Sequence, residues 1–292
     1  MLSGGAVRFA LIKGKDALRS MGLQSYSLDA ELLMAYALGC EGREGLLSAL
    51  IEQRELTQEQ EAVFEKVLKR RLLYEPISQI LGVRDFFLHT FKVTKDVLTP
   101  RPETELLIEE LLKIFQDTQS RYDFLDLGTG SGCLAITAAL LYENSSVTAS
   151  DISQNALAIA SKNAECHNIG SRLKLIQSDW FLSLDLSKRY DAVLCNPPYI
   201  SSSDWALLEK DVKNYEPSIA LTDSKDGLSH YRKIAAQIKK LEVRANFLLF
   251  EIGIGQGDAV TEILQSSGYV LERKVADLSG IERCLIFQRH IT

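Results

Sequence analysis

Two thirds of the way along the chain stand Asn196, Pro197, Pro198 and Tyr199, four residues whose types and order suit one kind of chemistry. Two prolines fix φ and remove two backbone donors, so the stretch offers carbonyls that can only accept. Pro197 also biases Asn196 towards an extended backbone. The Asn196 side-chain carbonyl and the Pro197 main-chain carbonyl then form a stiff acceptor pair, able to grip both hydrogens of an NH2 group. Tyr199 offers a face on which a flat amide or base can stack. An amide nitrogen is a poor nucleophile because its lone pair is delocalised. Two acceptors pulling on its hydrogens favour a more pyramidal nitrogen, its lone pair aimed at a sulfonium methyl group. Preorganisation of this kind contributes ~3 kcal/mol per group, and alignment of nitrogen, methyl and sulfur supplies the rest. No strong general base is required, since the proton can leave after methyl transfer. The competing reading is a proline-rich turn.

A second cluster reads as a nucleotide site. Asp126 and Leu127 precede Gly128, Thr129, Gly130, Ser131 and Gly132. Such glycines let the backbone turn sharply and approach a ligand without a Cβ in the way. The spacing is GxGxG, with Cys133 where a dinucleotide fingerprint places its last glycine. Asp151, closing the next strand, has two acceptor oxygens for ribose hydroxyls. Asp179 closes the third strand, and Trp180 and Phe181 follow it, giving an acid and an aromatic surface for an adenine amine and ring. These features suit adenosine in either a nicotinamide dinucleotide or S-adenosylmethionine. The Asn196 to Tyr199 stretch decides for the methyl donor. Plainer readings stand beside each: a tight strand–helix turn, a helix cap for Asp151, core packing for Trp180.

Elements must position these groups. The first third of the chain reads as helical. Ser27 caps a run over 28–38 that ends at Gly39, and Thr57 with Gln60 forms a capping-box pattern. That box opens a helix with Val63, Phe64, Val67, Leu68 and Leu72 on one stripe. From Ile77 to Thr99 the pattern turns β-branched and aromatic, which predicts a β-hairpin connector, and a helix over 103–116 follows. Strands are then expected at 122–127, 147–150, 173–177, 192–195, 247–252, 270–275 and 284–287. Helices at 133–142, 154–167, 228–240 and 256–265 alternate with them. This is an α/β pattern: a mostly parallel seven-stranded sheet covered on both faces, with one of the last two strands antiparallel. Three regions are expected: a helical domain at 1–76, the connector at 77–102 and the catalytic domain at 103–292. Ligands in such sheets sit beyond the carboxyl ends of the strands, where both clusters lie.

Composition narrows the function classes. Hydrophobic residues at 46% and charged residues at 25% describe an ordinary soluble chain. With no apolar run long enough to cross a bilayer and no evident secretory signal, a cytoplasmic protein without membrane contact is expected. A net charge of −6 tilts the partner away from nucleic acid. Five scattered cysteines and four histidines show no CxxC, HxxxH or HxH spacing, so they are read as structural and no metal is expected. A nucleic-acid base methyltransferase would share the Asn-Pro-Pro-Tyr grip but should add a basic, aromatic-interleaved region. A nicotinamide oxidoreductase and a non-catalytic adenosine-binding module are the remaining alternatives.

Several stretches together are specific. Residues 75–82, then 97–105 with Pro100, Arg101, Pro102, Glu103, Thr104 and Glu105, resemble the connector of the peptide chain release factor N(5)-glutamine methyltransferases. Residues 128–132, 178–181 and 196–200 resemble the same family, as do Glu216 and Pro217, 226–228, 251–257 and 277–283. The resemblance spans roughly residues 29–289. Thr99 and Ser224 depart from it, the latter in a stretch usually richer in glycine. The resemblance implies a class I methyltransferase domain. It implies methylation of the glutamine side-chain amide in the Gly-Gly-Gln motif of class-one release factors, with a helical N-terminal domain helping to dock that substrate. Cofactor contacts would fall on residues 128–132, Asp151, Trp180 and Asn196, and substrate contacts on Asn196, Pro197, Pro198 and Tyr199. A monomer is expected. Arg101, Glu103 and Glu105 could close over the cofactor or form a hinge salt bridge and helix-start acids.

Overall fold

The computed structural model describes residues 5–290. Residues 1–4 and 291–292, the outer ends of the first and last expected domains, lie outside the described residues. The chain divides into two compact units, one comprising the residues up to Gly82 with Lys210–Tyr215 and the other the remainder.

In the first unit, helices Ala6–Ser20, Tyr26–Leu38, Gly42–Ile51 and Gln58–Leu72 share one core. Leu11, Leu18, Leu33, Met34, Leu46, Phe64 and Val67 form its centre. Both bonds of the Thr57–Gln60 capping box are made, at 3.1 Å each. The helix at Tyr26 starts earlier than expected: Ser25 takes the cap position and Ser27 lies in the first turn. Ile77–Leu81 is a short helix, where the sequence pattern suggested extended chain. One ion pair is sealed inside this unit. Arg71 Nε donates to Asp29 Oδ2 at 2.7 Å, with both side chains about 95% buried. Arg71 also reaches Asp211, at 3.5 Å, in the helix Lys210–Tyr215. Gln79 donates to the Tyr215 carbonyl, and the Tyr215 hydroxyl donates to that of Leu73.

The second unit opens with a hairpin of β1 (Val83–Phe86) and β2 (His89–Lys92). The sheet follows: β3 (Asp123–Leu127), β4 (Ser146–Asp151), β5 (Leu173–Gln177), β6 (Arg189–Cys195), β7 (Arg244–Glu251), β8 (Tyr269–Ala276) and β9 (Glu282–Arg289). Its order is β5-β4-β3-β6-β7-β9-β8, and β9 runs antiparallel to both of its neighbours. Alternation along the strands divides the core between two faces, as the period of two requires. Phe124, Ala192, Leu194, Leu249 and Ile286 face one layer of helices. Leu125, Leu127, Val193, Cys195, Leu248, Phe250 and Leu285 face the other. The chain winds outward from β3 to β4 and β5, then returns to place β6 on β3's other side. A cleft opens where the winding reverses. The glycine loop after β3, Asp151 at the end of β4 and Asn196 after β6 therefore emerge side by side. Among the described residues no helix is long and apolar enough to cross a membrane.

Candidate active site

A cavity of about 160 Å³ lies at this edge, within the second unit. Gly128, Gly130, Asp151, Asp179, Trp180, Asn196 and Pro198 line it. Thr129, Ser131, Gly132, Pro197 and Tyr199 are not among the lining residues. Thr129 instead donates its hydroxyl to the buried Asp126 at 2.6 Å. Burial pushes the Asp126 carboxyl up to about 7. The glycine loop is pinned from below, since the N–H groups of Gly128 and Thr129 both donate to the Ser150 carbonyl. Gly128 has φ +72, and a Cβ there would stand 3.4 Å from the Trp180 ring. Only glycine combines that backbone with that approach.

Asp151 holds the loop as well as facing the cavity. One oxygen accepts from Gly130 N–H at 2.9 Å and the other from Ser153 N–H at 2.8 Å. Each oxygen keeps a lone pair for a further donor, and burial raises its pKa. Asp179 sits two residues beyond β5 and pairs with Lys233 at 2.5 Å. Trp180 adopts a left-handed backbone, φ +57, costly for a bulky residue and typical of functional turns. Phe181 departs from expectation: its side chain is fully buried in the core and offers no surface to a ligand. His230, read as structural, meets Trp180 edge to face with centroids 5.4 Å apart and lines the cavity. Desolvation lowers its pKa.

The connector and the segment after Tyr199 supply further walls, through Asp96, Val97 and Leu98 and through Pro217, Ile219 and Ala220. Asn163, buried and unremarked in the sequence, bonds both backbone groups of Lys92 and the Ser131 carbonyl, tying hairpin to glycine loop. Gln256 donates to the Tyr199 carbonyl at 2.9 Å, and Gly227 passes so close that a Cβ would meet that oxygen at 2.3 Å. Ser224, the departure in this loop, takes φ +56. The Gly253 to Gly257 segment is a strand–helix turn. Arg101 pairs with Glu216 at 2.7 Å, and Glu105 accepts from Phe87 N–H at the start of its helix. Neither they nor Glu103 line the cavity.

Two residues that the sequence analysis placed in family-like stretches but gave no role, Thr104 and Glu251, bond the motif side chains. Asn196 Nδ2 donates to Thr104 Oγ1 at 3.1 Å, and Thr104 donates to Glu251 Oε2 at 2.6 Å. The Tyr199 hydroxyl donates to Glu251 Oε1 at 3.2 Å. Burial pushes the Glu251 carboxyl up to about 7 and raises the Tyr199 phenol. A turn at Pro102–Thr104 and the end of β7 thus converge on both motif side chains.

Residues 10–82 match the family model described as PrmC N-terminal domain, and residues 102–212 match Methyltransferase small domain. A release factor glutamine methyltransferase of Agrobacterium fabrum is 36% identical over 99% of this chain and 100% of its own length. The chain belongs to the release factor glutamine methyltransferase family. A Rickettsia felis bifunctional methyltransferase is 37% identical over 97% of this chain, which spans 58% of that longer protein. The fold recurs in the N-terminal domain of human METTL16 in complex with SAH, at 16% identity and TM-score 0.51, over 69% of this chain and 76% of that one.

The donor set of the cavity fits the cofactor of such a family. Asp151 presents acceptors for vicinal hydroxyls, while Trp180 and Asp179 present a ring and an acid for a purine. Among the described residues no group of three His, Cys, Asp or Glu is placed to hold a metal.

Proposed function

We propose that this chain methylates the side-chain amide nitrogen of the glutamine in the Gly-Gly-Gln motif of class-one release factors, using S-adenosylmethionine. When bound, the cofactor supplies an electrophilic methyl group on a sulfonium. Gly128 to Gly132, Asp151, Asp179 and Trp180 would hold it. Asn196 and Pro197 accept the two amide hydrogens, and Tyr199 and Pro198 bound the flat group that carries them. These acceptors shift electron density onto the nitrogen, and the rigid turn fixes its line of approach. The observation that carries the reading is Asn196, at the end of β6, lining the same cavity as Gly128, Gly130 and Asp151. Residues 1–76 serve in this reading as the substrate-recognition domain and 77–102 as the connector.

The test is mass mapping of a class-one release factor and of adenine-containing DNA and RNA after incubation with protein and S-adenosylmethionine. One methyl on the Gly-Gly-Gln glutamine is expected. A methyl on a base, with the release factor unmodified, would overturn the substrate.

A further inference from the structure

We propose that Thr104 and Glu251 are positioning residues: together they set which way the Asn196 amide faces and anchor Tyr199 beside it. The inference rests on the methyl-transfer reading of the Asn-Pro-Pro-Tyr turn and deepens it. The nitrogen and oxygen of an asparagine amide are nearly the same size, so packing alone does not choose between its two orientations. Hydrogen bonding does. A substrate NH2 group is gripped only if Asn196 presents Oδ1. With Nδ2 outward, two donors would face each other and the grip would be lost.

The structure supplies the choice through one hydroxyl. Thr104 carries a single O–H hydrogen, and it is spent at 2.6 Å on Glu251, whose carboxylate can only accept. Towards Asn196, Thr104 therefore has nothing left but lone pairs. Nδ2 must turn to it, at 3.1 Å, and Oδ1 is left for the substrate. Sheet register puts the partners in reach. Cys195 lies opposite Phe250, so one residue further along each strand brings Asn196 and Glu251 level. Thr104 and Glu251 are about 97% and 98% buried, where an unbonded carboxylate would be costly and water competes little for these bonds. The second Glu251 oxygen takes the Tyr199 hydroxyl. One carboxylate thereby fixes Asn196, through Thr104, and Tyr199 directly.

Three variants separate positioning from packing: Thr104→Val, which keeps the shape and deletes the hydroxyl, Thr104→Ser, which keeps the hydroxyl, and Glu251→Gln. A glutamine can accept at one branch only, so one of its two partners loses its anchor. Each is assayed on whole release factor, with S-adenosylhomocysteine affinity measured by calorimetry. For Thr104→Val, kcat should fall about 100-fold, the scale of losing one oriented polar group. KM and S-adenosylhomocysteine affinity should stay within about threefold. Thr104→Ser should recover turnover to within about fivefold of wild type, and Glu251→Gln should also lower kcat, by freeing either Thr104 or Tyr199 from its acceptor. A Val variant with wild-type kcat, or a Ser variant as impaired as the Val variant, overturns the proposal. Should the Val variant fail to fold, Glu251→Gln decides alone, and wild-type turnover there is equally fatal. If wild type methylates some other NH2 group, the substrate reading fails while the same comparison on that nitrogen still decides the positioning. Wild type that binds S-adenosylhomocysteine yet methylates no NH2 group removes both.

Discussion

Burial pushes the Glu251 carboxyl from its ordinary value up to about 7, against the Thr104 and Tyr199 hydrogen bonds, with Glu103 adding a little and Arg283 opposing. Around it stand Tyr199, Tyr231 and the thiols of Cys133, Cys195 and Cys284, all raised by burial and neutral near pH 7. Two opposite pH dependences follow. Only the ionised carboxylate accepts from both Thr104 and Tyr199, so kcat should fall about tenfold per pH unit below 7. Stability runs the other way. A carboxyl whose folded pKa is raised contributes stability that is full below about 4.5 and is lost as pH rises through 7. Asp126, also raised to about 7, adds to this slope. Thermal melts at pH 5 and pH 8 should show wild type losing more stability than Glu251→Gln over that interval. Equal losses in both proteins would refute the assignment. At this scale the meeting of Asn196, Asp151 and Trp180 at one cavity was legible, because each stands beside residues that announce it. The roles of Thr104 and Glu251 were not, since these two lie 147 positions apart and meet only where the Pro102–Thr104 turn reaches the end of β7.

Helices and strands carried their own signals to differing degrees. The seven strands of the large sheet were legible from alternating or continuous apolar runs between turn residues. The helix at Ile77–Leu81 was not, because its isoleucines read as β-formers in so short a segment. The counter-signal was nevertheless present: Pro76 precedes it, and Gly82 ends it with φ +76. The helix Lys210–Tyr215 joins the first unit through Arg71, Gln79 and the Leu73 carbonyl, partners over 130 positions away that no local pattern reveals. Arg71 is one of three basic residues in the last turn of its helix, with Lys69 and Arg70. Its partner Asp29 is buried with it, so Arg71→Ala should cost about 3–5 kcal/mol by leaving that carboxylate unpaired. The double variant Asp29→Leu with Arg71→Met should recover most of the loss. Denaturant titration checks both, and a loss below about 1 kcal/mol for the single variant would show that Asp29 finds another partner.

Taken whole, the chain pairs a helical unit having its own core with an α/β unit that holds every residue lining the cavity. The switch from helical to alternating strand–helix patterns put the expected boundaries after residues 76 and 102, whereas the compact units divide after Gly82 and residues 210–215 join the first. The net charge of −6 bears on partner choice. A nucleic-acid substrate held by phosphate contacts would lose affinity steeply with salt, whereas a protein substrate docked by a remote surface would not depend on such contacts. If the helical unit docks the release factor, binding energy comes from parts of the substrate far from the glutamine. Removing those parts should raise KM more than it lowers kcat, to the extent that the contacts are equal in ground and transition states. An isolated peptide carrying the Gly-Gly-Gln loop should therefore be methylated with kcat/KM at least about 100-fold below that of the whole release factor, corresponding to about 2.7 kcal/mol of remote binding. A loss appearing in kcat instead would mean that docking energy is spent on aligning the amide against Asn196. Equal efficiency on peptide and protein would remove the helical unit from recognition and leave the loop sequence alone to specify the target.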